Sequence, residues 1–329
     1  MDLSSPNHVN KLAQLPNARD CSLRMVGSCD GLLCLSNVDN EVVLWNVATR
    51  ERRQVPDNPI MYPDNFTFYA NCDQDFNVAY GFGYDSGNED YKVVRMLQFY
   101  DINDNHEKIV EVFSLKSNAW KRAPDFPYFL YWGYQWGTYA NGNLHWLLSE
   151  QHINILQLIV AFDISVEKYR QMPLPNISDY FLLKLREFEG CLCLLCIYGA
   201  HEKIDVWVMK QYGVKESWVK MYSLAETQLE RGFDYIVPLA YSMNGEELFL
   251  GQDDKNFLWY DLEKKTVINA QVFGVPEVFQ SKICVDSLVK LDDNRGTGEK
   301  KHPERAVKKE QGKRKNRHEF LLQGFKLVL

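Results

Sequence analysis

The sequence has little that would place it in a membrane or send it out of the cell. Its 329 residues contain no run of 18 apolar residues, so an apolar transmembrane helix is excluded. The first residues, Met1 to Pro6, lack the charged and apolar regions of a signal peptide. The eight cysteines lie mostly inside apolar runs such as residues 32–35. We therefore expect reduced thiols in a protein of the cytoplasm, the nucleus or both.

Signatures of catalysis are also lacking. The stretch from Gly83 to Gly87 has the wrong spacing for a serine-nucleophile elbow. Gly81-x-Gly83 lacks the third glycine and the following helix of a phosphate-binding loop. No paired carboxylates suggest acid–base work, and His145, beside Trp146 in an apolar strand, fits a hydrogen-bonded core residue. We expect a protein that is not an enzyme and that carries no cofactor.

A metal centre is not expected either. Cys191-x-Cys193-x-x-Cys196 is the one clustered set of thiols in the sequence. On a strand, Cys191 and Cys193 share one face while Cys196 points to the other. A zinc site needs four converging ligands, so we expect these side chains to pack in the core instead.

Charge is unevenly distributed along the chain. Residues 294–318 contain ten Lys/Arg and three Glu, a local charge of +7, which leaves 27 basic and 41 acidic residues, or −14, elsewhere. An acidic body argues against general nucleic-acid binding. The 294–318 segment has almost no apolar residues, so we expect it to be a disordered loop within the last structural unit.

What the sequence does contain is a repeat of short strands. Most units close on a proline or a polar residue, and the closing positions Pro124, Pro173, Ser223 and Val272 are 49, 50 and 49 residues apart. The preceding interval, from Pro56 to Pro124, is 68 residues and includes an insertion around residues 57–77. Repeats of this length built from short strands are typical of β-propellers.

The predicted architecture is an all-β, kelch-like β-propeller of about six four-stranded blades, with seven as the alternative. It would form a single domain over residues 1–329. The sixth unit would combine residues 283–291 with residues 320–329 and the first residues, because ring closure removes free sheet edges. One aromatic side chain recurs in each unit and is expected to pack between blades: Trp45, Phe113, Phe162, Trp207 and Tyr260.

Several stretches resemble one plant family. Residues 26–35, residues 44–50 (with Val47 where proline is usual) and residues 80–85 followed by 90–95 resemble phrases of the type 1 F-box-associated domain, the kelch-like propeller of F-box proteins. The C-terminal residues 319–329 are similar to the defence-regulating "constitutive expresser" subgroup.

The resemblance implies a function. The family's propeller is the substrate-recognition module of an SCF-type E3 ubiquitin ligase, so this chain would hold a target protein for ubiquitination and degradation, in plant defence if the subgroup applies. Family members carry an F-box ahead of the propeller, and nothing similar precedes Val26. We therefore expect contact with the Skp-type adaptor and cullin only if an F-box is supplied. Alternatives are an F-box-less propeller that acts as a ligase-independent or competing binding module, and a pollen-recognition relative.

The best candidate for partner binding is an aromatic-rich connection. Residues 126–136 hold seven aromatics in eleven positions and lie mainly between two repeats. Exposed aromatics anchor protein interfaces, which favours Tyr128, Phe129, Tyr131 and Trp132. The alternative is that these side chains cover a blade edge. The insertion at residues 58–77 is a second candidate, because long connections often carry recognition.

The basic segment offers one further motif. Lys313, Arg314, Lys315 and Arg317 fit a nuclear-import signal, with a solvated loop as the alternative.

Overall fold

The computed structural model describes residues 9–10, 24–37, 39–64, 66–67, 76–103, 105–130, 134–151, 157–199, 202–229, 232–270, 272, 281–285, 287–291 and 325–328. Over these residues the chain is built of short strands, with two one-turn 3-10 helices, Lys215–Ser217 and Glu226–Gln228. The all-β prediction is confirmed. The basic segment at 294–318, predicted to be disordered, lies outside the described residues.

The strands, in chain order, are β1 (Val9–Asn10), β2 (Arg24–Cys29), β3 (Leu32–Ser36), β4 (Val42–Asn46), β5 (Arg52–Gln54), β6 (Phe76–Asp85), β7 (Asp90–Tyr100), β8 (His106–Ser114), β9 (Ala119–Ala123), β10 (Tyr134–Trp136), β11 (Thr138–Ala140), β12 (Asn143–Leu148), β13 (Leu158–Asp163), β14 (Lys168–Met172), β15 (Tyr180–Phe188), β16 (Cys191–Tyr198), β17 (Lys203–Met209), β18 (Trp218–Ala225), β19 (Ile236–Tyr241), β20 (Glu247–Gln252), β21 (Asn256–Asp261), β22 (Val267–Asn269), β23 (Lys282–Val285) and β24 (Phe325–Val328).

These strands form a propeller of five blades. Blades 1 to 5 are the antiparallel meanders β2–β5, β6–β9, β11–β14, β15–β18 and β19–β22, and β10 adds a fifth strand to the inner edge of blade 2. A three-stranded sheet, β1-β24-β23, joins segments from the two ends of the chain. The predicted propeller is confirmed. The predicted number of four-stranded blades, six or seven, is wrong: there are five, because over the described residues the closing unit has three strands of two to four residues each.

Ring closure ties the last unit to the first blade. The Asn46 side-chain amide donates hydrogen bonds to the carbonyls of Ser287 and Val289, at 3.1 and 2.8 Å. Gly31, at φ +78°, lies so close to the Val285 carbonyl that an added Cβ would stand 2.5 Å from it. A larger residue could not pack there, so the first turn of blade 1 is matched to the closing strand.

Neighbouring blades bury both of their faces against each other. In β16, Cys193 and Leu195 pack in the cluster between blades 4 and 5, whereas Leu194 and Cys196 pack in the cluster between blades 3 and 4. The predicted opposite facing of Cys193 and Cys196 is confirmed. Burial raises the pKa of Cys196 to about 12, so its thiol stays protonated and unreactive.

The recurring aromatics take the predicted inter-blade positions in most units. Phe113, Phe162 and Tyr260 lie in clusters shared by adjacent blades, and Trp207 packs against the cluster between blades 3 and 4. Trp45 differs, because it is buried among side chains of its own blade, Leu33 and its neighbours.

Outer-strand aromatics hold successive blades together through one repeated hydrogen bond. The Trp120 indole donates to the carbonyl of Pro56 at 2.8 Å, and the Trp218 indole donates to that of Pro173 at 2.9 Å. Between these two joints, the Tyr169 hydroxyl donates to the Pro124 carbonyl at 3.2 Å. Each bond runs from the outer strand of one blade to the closing proline of the blade before it. The closing prolines seen in the sequence therefore mark the acceptors of an inter-blade clamp.

The joint between blades 2 and 3 is also held by a segment that pairs with both blades, which we call the strap. Residues 134–140 form one extended segment that pairs in parallel with β6 and then antiparallel with β12, with Gly137 between the two strands. The Gly137 amide donates to the Tyr80 carbonyl at 2.6 Å. The Trp146 ring covers Gly81 and Gly137, and a Cβ on either glycine would stand 2.7 Å from ring carbons. Glycine is therefore required where the strap crosses between blades.

The clamp predicts a specific loss of stability. Trp218→Phe keeps most of the buried ring but leaves the Pro173 carbonyl without its donor, so the free energy of unfolding should fall by about 1–2 kcal/mol beyond the loss of ring area. Trp207→Phe is the matched control, because the Trp207 indole N–H has no hydrogen-bond partner to lose among the residues that the structure describes. Urea unfolding measures both. Equal losses in the two variants would show that the hydrogen bond contributes nothing.

Candidate functional site

The topology divides the connections between two faces of the ring. We call the side on which the inner strands β2, β6, β11, β15 and β19 begin the entry face. In an antiparallel meander, the connections between blades and the loops between second and third strands open on this same side. The entry face therefore carries residues 55–62, 101–103 and 124–130, which include part of each predicted binding segment, 58–77 and 126–136.

A groove lies on the entry face between blades 1 and 2. It encloses a cavity of about 450 Å³. Val42, Val55 and Phe76 supply apolar lining, and Asp39 and Asp57 are exposed carboxylates among the lining residues. A recess of this size, with mixed polarity, can receive a protruding side chain or turn of another protein.

A buried ion pair makes the floor of the groove rigid. Arg95, whose side chain is 3% exposed, pairs with Glu111 at 2.6 Å. The Arg95 guanidinium also donates to the Asn58 carbonyl, while the Asn58 amide donates back to Glu111, both at 2.8 Å. It lies 5.1 Å from the centre of the Trp120 ring. Because Arg95 and Glu111 neutralise each other, the remaining lining charges are carboxylates.

Exposed apolar side chains border this groove. Met61 is 74% exposed and Tyr62 is 47% exposed. The Tyr62 ring is held edge-on against Phe76 and Phe99, at centroid distances of 6.0 and 5.6 Å. Ile102, 48% exposed, is on the neighbouring loop, where its amide donates to Thr67. Large apolar groups held in place but open to solvent are typical of interface anchors.

On the other side of blade 2, a lysine is enclosed by aromatic rings. The Lys108 ammonium lies 3.5 Å from the centre of the Phe129 ring and 5.6 Å from that of Phe126. Burial lowers the pKa of Lys108 to about 8. The Phe129 backbone exchanges two hydrogen bonds with Ser149, at 2.8 and 3.0 Å, so the backbone that carries the ring is fixed against blade 3.

The aromatic connection is thus divided between core and surface. Phe126 is buried in the cluster between blades 2 and 3, as the edge-covering alternative requires. Tyr128 and Phe129 are half-exposed on the entry face. Tyr131 and Trp132 lie outside the described residues, as do the candidate import residues at 313–317, and partner binding at these positions stays a prediction.

Sequence reasoning missed most of the groove. Its lining comes from residues 39–41, residues 55–62 and the separate positions Arg95 and Trp120, which only the ring brings together. The one sequence signal was the long first interval with its insertion at residues 57–77.

The central channel of the ring is narrow. Inner strands and β10 enclose a cavity of about 150 Å³, and Lys282 and Glu187 form an ion pair of 3.2 Å among its lining residues. No histidine or cysteine occurs among the lining residues that the structure describes. Over the same described part of the chain, no group of three or more metal-ligating side chains is clustered, and no helix is long and apolar enough to span a membrane.

His145 is confirmed as a satisfied core histidine. It is fully buried; its Nδ1–H donates to the Thr138 carbonyl at 3.0 Å, and its Nε2 accepts from the Tyr212 hydroxyl at 2.7 Å. Only this tautomer fits, because a carbonyl cannot donate. Burial lowers the pKa of His145 to about 4, so the ring is neutral at physiological pH.

The family comparison agrees with this architecture. The F-box associated beta propeller domain matches residues 2–289, and the chain belongs to that family. It is 31% identical to F-box protein CPR1 of Arabidopsis thaliana over an alignment of 354 residues. The alignment covers 100% of this chain and 84% of that protein. A second Arabidopsis thaliana F-box protein is 28% identical over 351 residues, covering 100% of this chain and 83% of its own length. An F-box/kelch-repeat protein of the same plant is 29% identical over 208 residues, covering 61% of this chain and 52% of that protein.

The environment of His145 predicts a pH dependence of stability. Its pKa is 6.5 when unperturbed and about 4 in the fold, so the unfolded chain binds the proton more readily. The contribution of neutral His145 to the free energy of unfolding is therefore complete above pH 6.5. It is lost as the pH falls towards 4, by about 3 kcal/mol in total. His145→Gln removes this titration. Urea unfolding measures the free energy of unfolding at pH 7 and at pH 4.5. We expect this free energy to change less between the two pH values in the variant than in the wild type. An equal change in both proteins would contradict the depressed pKa of His145.

Proposed function

We propose that this chain is the substrate-recognition module of an SCF-type E3 ubiquitin ligase and that it holds its target protein on the entry face. Membership of the F-box-associated family supports the class of function, because the similar full-length relatives are F-box proteins. The groove between blades 1 and 2, with the exposed Met61 and Tyr62 at its border, is the observation that supports the entry face as the surface that binds the target.

The mechanism is proximity rather than bond chemistry. A rigid propeller fixes the orientation of a bound target, so its lysines spend more time close to the charged ubiquitin. The groove suits this task because the Arg95–Glu111 pair and the Trp120–Pro56 hydrogen bond hold its walls in place before any partner arrives. Preformed surfaces lose less conformational entropy on binding.

The remaining partners follow from the family. The Skp-type adaptor and cullin would join through an F-box. Action in the cytoplasm, the nucleus or both, with import through Lys313, Arg314, Lys315 and Arg317, belongs to the proposal, as does a role in plant defence.

The entry-face assignment predicts the effect of a surface charge. Met61→Asp places a carboxylate on an apolar anchor already bordered by acidic groups, so capture of the target should fall at least about tenfold. Val166→Asp is the matched control, because Val166 is 58% exposed on the turn after β13, on the opposite face. Quantitative mass spectrometry of proteins captured from plant extract measures both. Loss with Val166→Asp and not with Met61→Asp would place the target on the wrong side for this proposal.

Coupling to the ligase has its own test. The 329-residue chain and a version with an added F-box are used to capture the Skp-type adaptor and cullin from plant extract. We expect the version with the F-box to bring down both proteins and the 329-residue chain to bring down neither. Capture by both versions would show that the propeller contacts the adaptor directly. Capture by neither would contradict the ligase assignment.

A further inference from the structure

The central channel holds a recess that extended segments from several blades surround. Its volume is about 150 Å³, and its lining comes from β2, the strap, β15, β19 and β23, with Asp254 from the loop after β20. Tyr235 precedes β19, so Tyr235 and Asp254 both lie on the side of the entry face. A polypeptide can therefore reach this recess from a mouth on the ring axis, by inserting a chain end or a side chain.

The inner edges of the surrounding strands are open to a guest. β15 and β19 are the first strands of their sheets, and each pairs on one side only among the strands that the structure describes. In blade 2, by contrast, β10 covers the corresponding edge of β6. An open strand edge offers backbone donors and acceptors to an extended chain. These edges suit a short stretch of polypeptide.

One cation in the recess has no anionic partner. Arg186 lines the recess and is half-exposed, and its guanidinium donates to the Leu185 carbonyl at 3.0 Å. It forms no salt bridge with the part of the chain that the structure describes. Lys282, the other lining cation, is paired with Glu187 at 3.2 Å. Because a guanidinium has five N–H donors, most of the hydrogen-bonding capacity of Arg186 is unused.

The carboxylates around the recess are engaged with other groups. Asp253 accepts from the Tyr235 amide at 2.7 Å, and Asp254 lies beside the Tyr235 hydroxyl. Glu187 is neutralised in its ion pair. None of these three carboxylates is in salt-bridge contact with Arg186, so the charge of Arg186 is open to a guest.

A second cation adds to the positive charge beside the recess. Lys184 is two residues before Arg186 on β15, so both side chains leave the same face of the strand. Its ammonium lies 3.6 Å from the centre of the Tyr235 ring and forms no salt bridge within the described part of the chain. Burial, followed by the charge of Arg186, lowers the pKa of Lys184 to about 8. An anion bound to Arg186 would offset that repulsion.

We propose that Arg186 binds the C-terminal carboxylate of a target protein whose last residues enter the central recess. This inference rests on the proposed function. An arginine can donate two parallel hydrogen bonds to one carboxylate, which a single ammonium cannot match. Val26, Val237 and Leu239 line the same recess and supply apolar contacts for a short side chain.

The size of the recess favours a chain end over other anions. A volume of about 150 Å³ is well below that of a site for a drug-sized molecule, but it has room for a carboxylate and small residues. An internal aspartate or glutamate would bring two directions of chain to the mouth, whereas a C-terminus brings one. Phosphate groups are usually bound by clusters of arginines, and this recess offers one.

Short peptides test the site without knowledge of the target. The isotope-labelled 329-residue chain is titrated with acetyl-Ala-Ala-Gly that ends in a free carboxylate, while NMR follows the Arg186 Nε–H signal. Acetyl-Ala-Ala-Gly amide is the control for charge, and acetyl-Ala-Glu-Ala amide is the control for a carboxylate that is not at a chain end. We expect saturable binding of the free acid, at least about tenfold tighter than of either amide.

Two lysines give an independent measure of the bound charge. Binding of the free acid should raise the pKa of Lys184, because the carboxylate offsets the charge of Arg186. Lys108, whose pKa burial also lowers to about 8, is the internal reference, because it lies on β8 in blade 2. The pKa of Lys108 should not change. NMR titration of both ammonium signals, with and without the peptide, measures the two values.

Variants locate the site. Arg186→Met should weaken binding of the free acid at least about tenfold. Arg52→Met is the matched control and should bind like the wild type, because Arg52 is exposed on β5, the outer strand of blade 1. Ser28→Asp keeps Arg186 and adds a carboxylate at a half-exposed position of the recess lining. It should therefore also weaken binding, while its melting temperature stays close to that of the wild type.

Several results would overturn the proposal. They are the absence of a saturable shift in the wild type, equal binding of either amide, an equal rise in the pKa of Lys108, equal loss in Arg52→Met, and full binding by Ser28→Asp. The wild-type titrations decide the question even if Arg186→Met does not fold. None of these outcomes affects target capture through Met61, so failure of the recess and failure of the proposed function are distinguishable.

Discussion

The hydrogen bond from an outer-strand aromatic to the closing proline of the preceding blade is the contact on which the rest of the molecule depends. Pro56, Pro124 and Pro173 accept it from Trp120, Tyr169 and Trp218, and each bond fixes the point where the chain leaves one blade for the next. The entry-face connections start from these points. Residues 55–62 and 124–130 are therefore anchored at their origin, which makes them rigid enough to present side chains to a partner.

Blade 2 organises the candidate site. Its longest strands, β6 and β7, have ten and eleven residues, and the loop that begins after β7, at residues 101–103, lies on the entry face. On one side of the blade lies the acidic groove, with the neutralised Arg95 at its floor, and on the other lies Lys108, whose ammonium is 3.5 Å from the centre of the Phe129 ring. A partner that reached across this blade would meet carboxylates on one flank and an ammonium on the other. Such opposed charges favour one orientation of the partner over others.

Much of the fold could be predicted from the sequence because its physical causes are local. The spacing of Pro124, Pro173 and Ser223 reveals the repeat, and the apolar run around Cys193 reveals a strand buried on both faces. The number of blades could not be predicted in the same way, since the closing sheet uses strands too short to produce a repeat. The groove was missed because it depends on strand register and ring geometry. Nothing in the sequence brings Asp39 close to Trp120 before the blades pack.

The most direct test of this account is to map where a target protein lies on the propeller. Hydrogen–deuterium exchange of the chain with and without a bound target reports which backbone amides become protected. The account predicts new protection at residues 55–62, 101–103 and 124–130, and none at the opposite-face turns at residues 86–89, 115–118 and 164–167. Protection confined to those opposite-face turns would contradict it.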